Sequence, residues 1–118
     1  MIDFDASEIE RLADDLDGAG PRAIEQARTV VGKTGHDTVT AAQRLVPVDT
    51  GFLKSSIGVD IDGDGLGFDA GPTASYGHFV EWGTSRMSPQ PYLMPAFDQQ
   101  LPQAYAALEQ VAAGMLRP

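Results

Sequence analysis

The hydrophobic pattern along the chain changes its period at Pro47. Between residues 21 and 46, apolar and small residues recur at intervals of three, four and seven, and Pro21 suits the first turn of a helix. This predicts one long helix of about 39 Å at 1.5 Å per residue. Gly32 and Gly35 weaken its middle. They mark either a kink or a close crossing with another chain, or they are tolerated surface glycines.

Helical spacing also occurs near both ends of the chain. Ser7 and Glu10 have the spacing of a capping box, and apolar residues follow at helical intervals up to a glycine-rich break at residues 17–20. From Phe97 to Met115 a second apolar stripe has the same period. The pattern therefore predicts a short amphipathic helix before the long one and a further helix at the C-terminal end.

After Pro47 the apolar residues alternate with polar ones. Residues 57–61 and 66–70 each have period two, and the Asp62-Gly63-Asp64-Gly65 sequence between them is typical of a turn, which predicts a β-hairpin. Residues 74–84 fit either a strand or a short helix. Residues 88–95 contain three prolines and cannot be regular over their whole length.

Together these elements predict an α+β fold in a single domain over residues 1–118. A short N-terminal helix and a long helix precede a small antiparallel sheet based on the hairpin, and the C-terminal helix packs on that sheet.

The composition limits the kinds of partner. The 118 residues include no cysteine, and 17 Asp and Glu against 8 Lys and Arg give a net charge of −9. This excludes disulfide and thiolate-metal chemistry and argues against nonspecific binding of nucleic acid or anionic lipid, so a protein partner is predicted. Residues 1–20 hold seven acids and one base. Neither a secretory signal nor a membrane-spanning run is recognisable, so we expect synthesis in the cytosol.

Asp49-Thr50-Gly51 is the tripeptide that aspartic peptidases place at their active site. A chain of this length could supply half of a two-fold dimer in which two aspartates share one proton. That mechanism needs the aspartate on a tight loop at the end of a buried strand, whereas this tripeptide follows a helical pattern. The favoured interpretation is a helix-to-strand turn in which Gly51 takes a positive φ.

Two further groups of residues have partial metal-site spacing. Asp60, Asp62, Asp64 and Gly65 match the opening of a calcium loop, but Gly71 stands where its twelfth position needs a carboxylate. An acidic hairpin turn is therefore favoured. His78 and Glu81 could meet on one helical turn, but a third zinc ligand is missing from the pattern. We expect no metal and no cofactor.

Aromatic residues, methionines and prolines are concentrated between residues 76 and 95. Such side chains anchor protein interfaces because they bring much apolar area at a low entropy cost. The alternative is that they fill the domain's own core, and a domain of this size is expected to use some of them in that way.

Three segments occur in a fixed order along the chain: VPVDTGFLKSSI at 46–57, YGHFVEWGT at 76–84 and QPYLMPAF at 90–97. Together they resemble a family of tailed-bacteriophage neck proteins. The pattern of this tail-completion or minor tail family is P-x-D-T-G-x-L-x-x-S-I, then Y-A-x-x-V-E-F-G-T, then Q-P-F-L-x-P-A. The chain departs from it at Gly77, Trp82 and Tyr92, where the family usually has Ala, Phe and Phe.

The resemblance implies a structural virion protein without enzymatic activity, made in the host cytoplasm and placed at the head-tail junction. The expected assembly is a ring, a hexamer that matches the symmetry of a tail tube; it completes the tail and joins it to the connector, with DNA passing through its channel. Its partners would be copies of itself, the connector or stopper, the tail terminator and the tube. A tail terminator that caps the tube is the alternative role.

The resemblance and the aromatic clustering together give the candidate site residues. The predicted interface residues are Phe52, Leu53, Tyr76, Phe79, Trp82, Met87, Pro91, Tyr92 and Met94. The predicted structural residues are Asp49, Thr50, Gly51, Glu81, Gly83 and Thr84; Glu81 and Thr84 are expected to satisfy backbone groups where the aromatic and proline-rich segments meet. Asp60, Asp62 and Asp64 are the candidates for lining the channel, because negative walls repel phosphate.

Overall fold

The computed structural model describes residues 2–7, 20–47, 51–74, 77–85 and 88–115. In chain order its elements are β1 (Ile2–Asp5), α1 (Gly20–Leu45), α2 (Phe52–Ser56), β2 (Ile57–Ile61), β3 (Gly67–Pro72), α3 (Gly77–Trp82) and α4 (Leu93–Met115). The predicted α+β class is confirmed: two long helices and two short ones accompany a small antiparallel sheet. The predicted short helix after Ser7 lies outside the described residues.

The sheet has three strands in the order β1-β3-β2, so that β3 is central. The predicted hairpin forms between β2 and β3, with Ile61 opposite Phe68. The sequence pattern did not predict β1, which pairs antiparallel with the other edge of β3 and places Phe4 opposite Phe68. Because side chains alternate along a strand, Phe4 and Phe68 share one face of the sheet, and the intervening aspartates share the other.

The long helix α1 runs unbroken through both of its central glycines. A Cβ atom on Gly35 would lie 3.0 Å from Cγ2 of Val59 and 3.3 Å from the ring of Phe68, whereas one on Gly32 would meet nothing within 4 Å. Gly35 therefore marks the close crossing of α1 over the sheet of its own chain, rather than over another chain. Gly32 fits the alternative of a tolerated glycine.

One part of the core lies between the sheet and the two long helices. Phe68 is fully buried at its centre, its ring stacked on Phe4 at a centroid distance of 5.4 Å and edge-on to Phe97 of α4 at 6.2 Å. Val31 of α1 and Ala104 of α4 complete this cluster. The inner face of the sheet is thus held by aromatic contacts to α4.

A second part of the core lies where the end of α1, helix α2 and the start of α4 meet. Its buried residues include Ala42 of α1 and Val46 just after it, Leu53 of α2, and Leu93 of α4 with Tyr92 just before it. Helix α4 begins four residues before the predicted stripe, which leaves the proline-rich segment irregular up to Tyr92. In the described part of the chain, no helix is both long and apolar enough to cross a membrane.

Candidate interaction surfaces

Helix α3 carries two of the most exposed aromatic side chains of the protein. Residues 77–82 form a helix rather than a strand, and the chain leaves it at Gly83, whose φ is +76°. Phe79 and Trp82 are three positions apart and so share one side of the helix. They are 55% and 62% exposed, whereas Val80 packs against the core and Glu81 is buried. The helix therefore turns its aromatic side to solvent.

Glu81 fastens α3 to the beginning of α4. Its side chain is 1% exposed, and its carboxylate accepts three backbone hydrogen bonds, from the N–H groups of Tyr92 (3.1 Å), Leu93 (2.8 Å) and Met94 (3.2 Å). The first N–H groups of a helix have no partner within the helix, and a negative charge is favourable there. Glu81 thus caps α4 from a distant part of the sequence. The resemblance placed it at this junction, and these contacts give it a physical role there.

Tyr92 and Gly77 pack against each other beside this cap. The Tyr92 hydroxyl donates a hydrogen bond to the Gly77 carbonyl at 3.2 Å, and burial, with the Glu81 carboxylate nearby, raises the pKa of Tyr92 to about 12. The phenol is therefore neutral at physiological pH. A Cβ atom at Gly77 would lie 2.4 Å from Cγ of Pro72 and 2.9 Å from the Tyr92 hydroxyl oxygen. This close approach explains why glycine replaces the alanine of the family pattern.

The structure divides the predicted interface residues into two groups. Phe52, Phe79 and Trp82 are each more than half exposed, and Pro91 is also exposed. Leu53 and Tyr92 are buried in the core, and Met94 is partly buried against it. Because a buried side chain offers no surface to a partner, Leu53 and Tyr92 fit the alternative of core filling and are not retained as interface candidates. Tyr76 and Met87 lie outside the described residues.

The predicted turn around Asp49 is described only at its edges. Asp49 and Thr50 lie outside the described residues, whereas Gly51 has a φ of +77° and its carbonyl accepts a hydrogen bond from the Ser55 N–H at 3.0 Å. Before this segment α1 ends at Leu45, and after it α2 begins at Phe52. The preceding element is thus a helix, whereas a peptidase aspartate follows a buried strand. Thr84 is exposed directly after Gly83.

The solvent side of the sheet is strongly acidic. Asp3 of β1 stands opposite Asp69 of β3, which in turn stands opposite Asp60 of β2, so three carboxylates form a row across the strands. Asp5 lies opposite Gly67, and the Asp62 carboxylate covers the same glycine. We call Asp3, Asp5, Asp60, Asp62 and Asp69 the acidic face. It joins two of the predicted channel residues to two acids from the start of the chain.

Electrostatic repulsion within the acidic face is visible at Asp62. Partial loss of hydration and then the neighbouring carboxylates, beginning with Asp3 and Asp64, raise the pKa of Asp62. Asp5 is different, because the Ser7 N–H donates to its carboxylate at 2.9 Å and lowers its pKa. Within the described residues, no group of three or more acidic or histidine side chains is arranged to hold a metal ion. Asp60 lies in β2, Asp62 directly after it and Asp64 in the turn of the β2–β3 hairpin, which is the hairpin that the alternating pattern predicts.

Exposed aromatic and basic residues belong to the elements around the second part of the core. Phe52, Phe79 and Trp82 come from elements whose other residues contribute to this part of the core, and the exposed cations Arg44 and Lys54 belong to α1 and α2, which both contribute to it. We call these five residues the aromatic end. The described residues of 38–47 and 51–58 contain no acid. The sequence pattern located the aromatic residues, but the neighbouring cations become apparent only when the helices are packed.

A protein-family model matches more than half of the chain, including most of the elements described above. Residues 10–83 match the HK97-gp10-like family, described as "Bacteriophage HK97-gp10, putative tail-component". No curated protein and no solved structure matches the chain. The match includes the helix-to-hairpin segment and the aromatic helix α3, and it ends just before the proline-rich segment that Glu81 ties to α3. The chain therefore belongs to the HK97-gp10-like family of bacteriophage tail components.

Proposed function

We propose that this chain is a structural subunit of the phage neck, which forms a ring at the head-tail junction and completes the tail. The observation that carries the proposal is the exposed aromatic side of α3. Phe79 and Trp82 remain in solvent although Glu81 and Val80 fix the same helix firmly to the core. Large aromatic side chains on a rigid support are typical of protein interfaces, since little entropy is lost when they are covered.

The expected partners follow from the position of the neck. A ring subunit contacts copies of itself, the connector or stopper on the head side, and the tail terminator and tube on the tail side. Family membership supports contacts with virion proteins. A hexamer, matching the symmetry of a tail tube, is the ring size that we propose.

The acidic face is proposed to line the channel of this ring. Asp60 and Asp62 belong to it, and Asp64 lies in the adjoining β2–β3 turn. A DNA duplex carries a dense line of phosphate charges. A wall of carboxylates repels those charges, so genomic DNA would pass without adhering. The net charge of −9 is consistent with this role.

Electron microscopy of particles tests the proposed location. Particles that lack this protein are expected to show heads and tails that fail to join, and complementation with the wild-type chain is expected to restore a ring of density at the neck. Finding the protein only along the tube or at the distal tip would contradict the proposal. A ring on finished tubes that have not met a head would instead identify a tail terminator.

Charge reversal tests the channel. Replacing Asp60, Asp62 and Asp64 with lysine is expected to slow DNA ejection, because the substituted wall would attract phosphate, and the delay should shrink as salt is added. Ejection rates of purified particles provide the measurement. A control for added positive charge outside the channel places the same number of lysines at the exposed positions Gln26, Gln103 and Gln110 of α1 and α4. Equal ejection rates in both sets of variant particles would contradict the proposal that these aspartates line the channel.

A further inference from the structure

Helix α4 has one flank that no other described element covers. Asp98, Tyr105 and Glu109 are seven and four positions apart, which places them on one side of the helix, and all three are exposed. Tyr105 is 56% exposed although it is a large aromatic side chain. We call these three residues the Tyr105 flank.

The other flank of α4 faces α1. Gln100, Gln103 and Ala107 line a cavity of about 230 Å³ together with Thr34 and Lys33 of α1. Because these residues lie on the opposite side of the helix from Tyr105, the Tyr105 flank points away from α1. It therefore forms the lateral edge of the helical layer, where a neighbouring molecule has access.

We propose that the Tyr105 flank of one subunit docks on the aromatic end of a second copy of this chain. The two surfaces carry opposite charges, since Asp98 and Glu109 share the helix side of Tyr105, whereas the exposed Arg44 and Lys54 belong to elements that border the same part of the core as the helix of Phe79 and Trp82. Opposite charges around an aromatic centre are typical of specific interfaces. This contact rests on the ring proposed above and assigns the two surfaces that build it.

The geometry of a ring requires two different surfaces of this kind. Subunits related by a rotation other than a two-fold axis meet head to tail, so that one patch contacts another patch of the next copy. A two-fold contact centred on either surface would place Arg44 and Lys54 against the same cations, or Asp98 and Glu109 against the same acids. The head-to-tail contact avoids both repulsions. It also leaves the acidic face of the sheet uncovered, as a channel wall requires.

Site-directed crosslinking tests this contact, and because the chain contains no cysteine, the introduced thiols are the only ones that it carries. The double variant Ser85→Cys/Pro102→Cys places one thiol at an exposed position three residues after Trp82 and the other one turn from Tyr105, and leaves the aromatic residues of both surfaces in place. Treatment of assembled particles with a short bismaleimide is expected to give a ladder of covalent oligomers that ends at the ring number. The single-cysteine variants are expected to stay monomeric on the same gel.

The matched control is Ser85→Cys/Gln103→Cys, whose second thiol lies on the flank that faces α1. A ladder as strong in this control, or none in the Pro102 variant, would overturn the contact. Dimers from Ser85→Cys alone would also overturn it, since they indicate that the aromatic ends of two copies meet each other. If the protein forms a ring at the neck but gives no crosslinked ladder, the proposed contact is wrong and the proposed function is not affected. If it gives a ladder but is absent from the neck, the proposed function is wrong and the contact is not affected.

Charge exchange gives a second measurement that does not depend on thiols. Arg44→Glu/Lys54→Glu and Asp98→Lys/Glu109→Lys are each expected to lower the yield of infectious particles by about tenfold or more, since like charges then meet at the contact. Circular dichroism checks that each variant is folded. The chain carrying all four changes is expected to recover yield because the charges match again. Failure of this recovery in a folded chain would overturn the pairing.

Discussion

Replacing Glu81 with alanine is expected to lower the free energy of unfolding by about 3–5 kcal/mol. The substitution leaves the N–H groups of Tyr92, Leu93 and Met94 without their acceptor, in a place where water has little access. It also opens space beside the buried phenol of Tyr92. Urea denaturation of the purified protein measures the loss, which should be accompanied by exposure of the segment that joins α3 to α4.

Two comparisons make the Glu81 result specific. Glu81→Gln retains an acceptor but loses the charge, so we expect a smaller loss of about 1–2 kcal/mol. Glu109→Ala removes an exposed glutamate from α4 and should change stability by less than about 0.5 kcal/mol. If Glu81→Ala were no more destabilising than Glu109→Ala, the carboxylate would not be the connection that holds α3 to α4.

Phe68→Ala is the other substitution with a large expected effect, a loss of about 3–5 kcal/mol. The side chain is completely buried and contacts the rings of Phe4 and Phe97, so its removal leaves a cavity between the sheet and α4. Both the transfer free energy and the aromatic contacts are lost. Thermal and urea unfolding, followed by far-ultraviolet circular dichroism, provide the measurement.

Phe79→Ala is the matched control for this substitution. It removes the same side chain from a site that is 55% exposed, and we expect a loss below about 1 kcal/mol. The two variants should also differ in biology, because Phe79→Ala would impair assembly while the subunit stays folded. A similar loss of stability from both variants would show that the aromatic side of α3 is covered within the subunit itself.

Much of the fold could be predicted from the period of the apolar residues. The hairpin follows from the alternation around Phe68, and α1 from helical spacing that its two glycines do not interrupt. Strand β1 was missed because only four residues form it and two of them are aspartates. Its stability comes from pairing with β3, and such a long-range contact leaves little trace in the local pattern.

The candidate site was predictable in its residue types but not in its exposure. Read as a strand, α3 would put Phe79 and Trp82 on opposite faces; as a helix, it puts them on the same side. Six residues are too few for either period to be recognised. The sequence also could not show that Tyr92 is buried while Trp82 is exposed, because both are large aromatic residues in short segments without a recognisable period. The Glu81 contacts became evident only once α3 and the start of α4 were placed side by side.

The central position of β3 has a consequence for the order in which this protein folds. Strand β1 is the first element of the chain, yet its partner β3 follows only after α1, α2 and β2. The β2–β3 hairpin closes a short loop, whereas the β1–β3 pairing closes a long one at a greater entropic cost. During synthesis β1 therefore stays unpaired until β3 has left the ribosome. Its two aspartates help to prevent aggregation of the unpaired strand, because charged side chains oppose pairing with other chains.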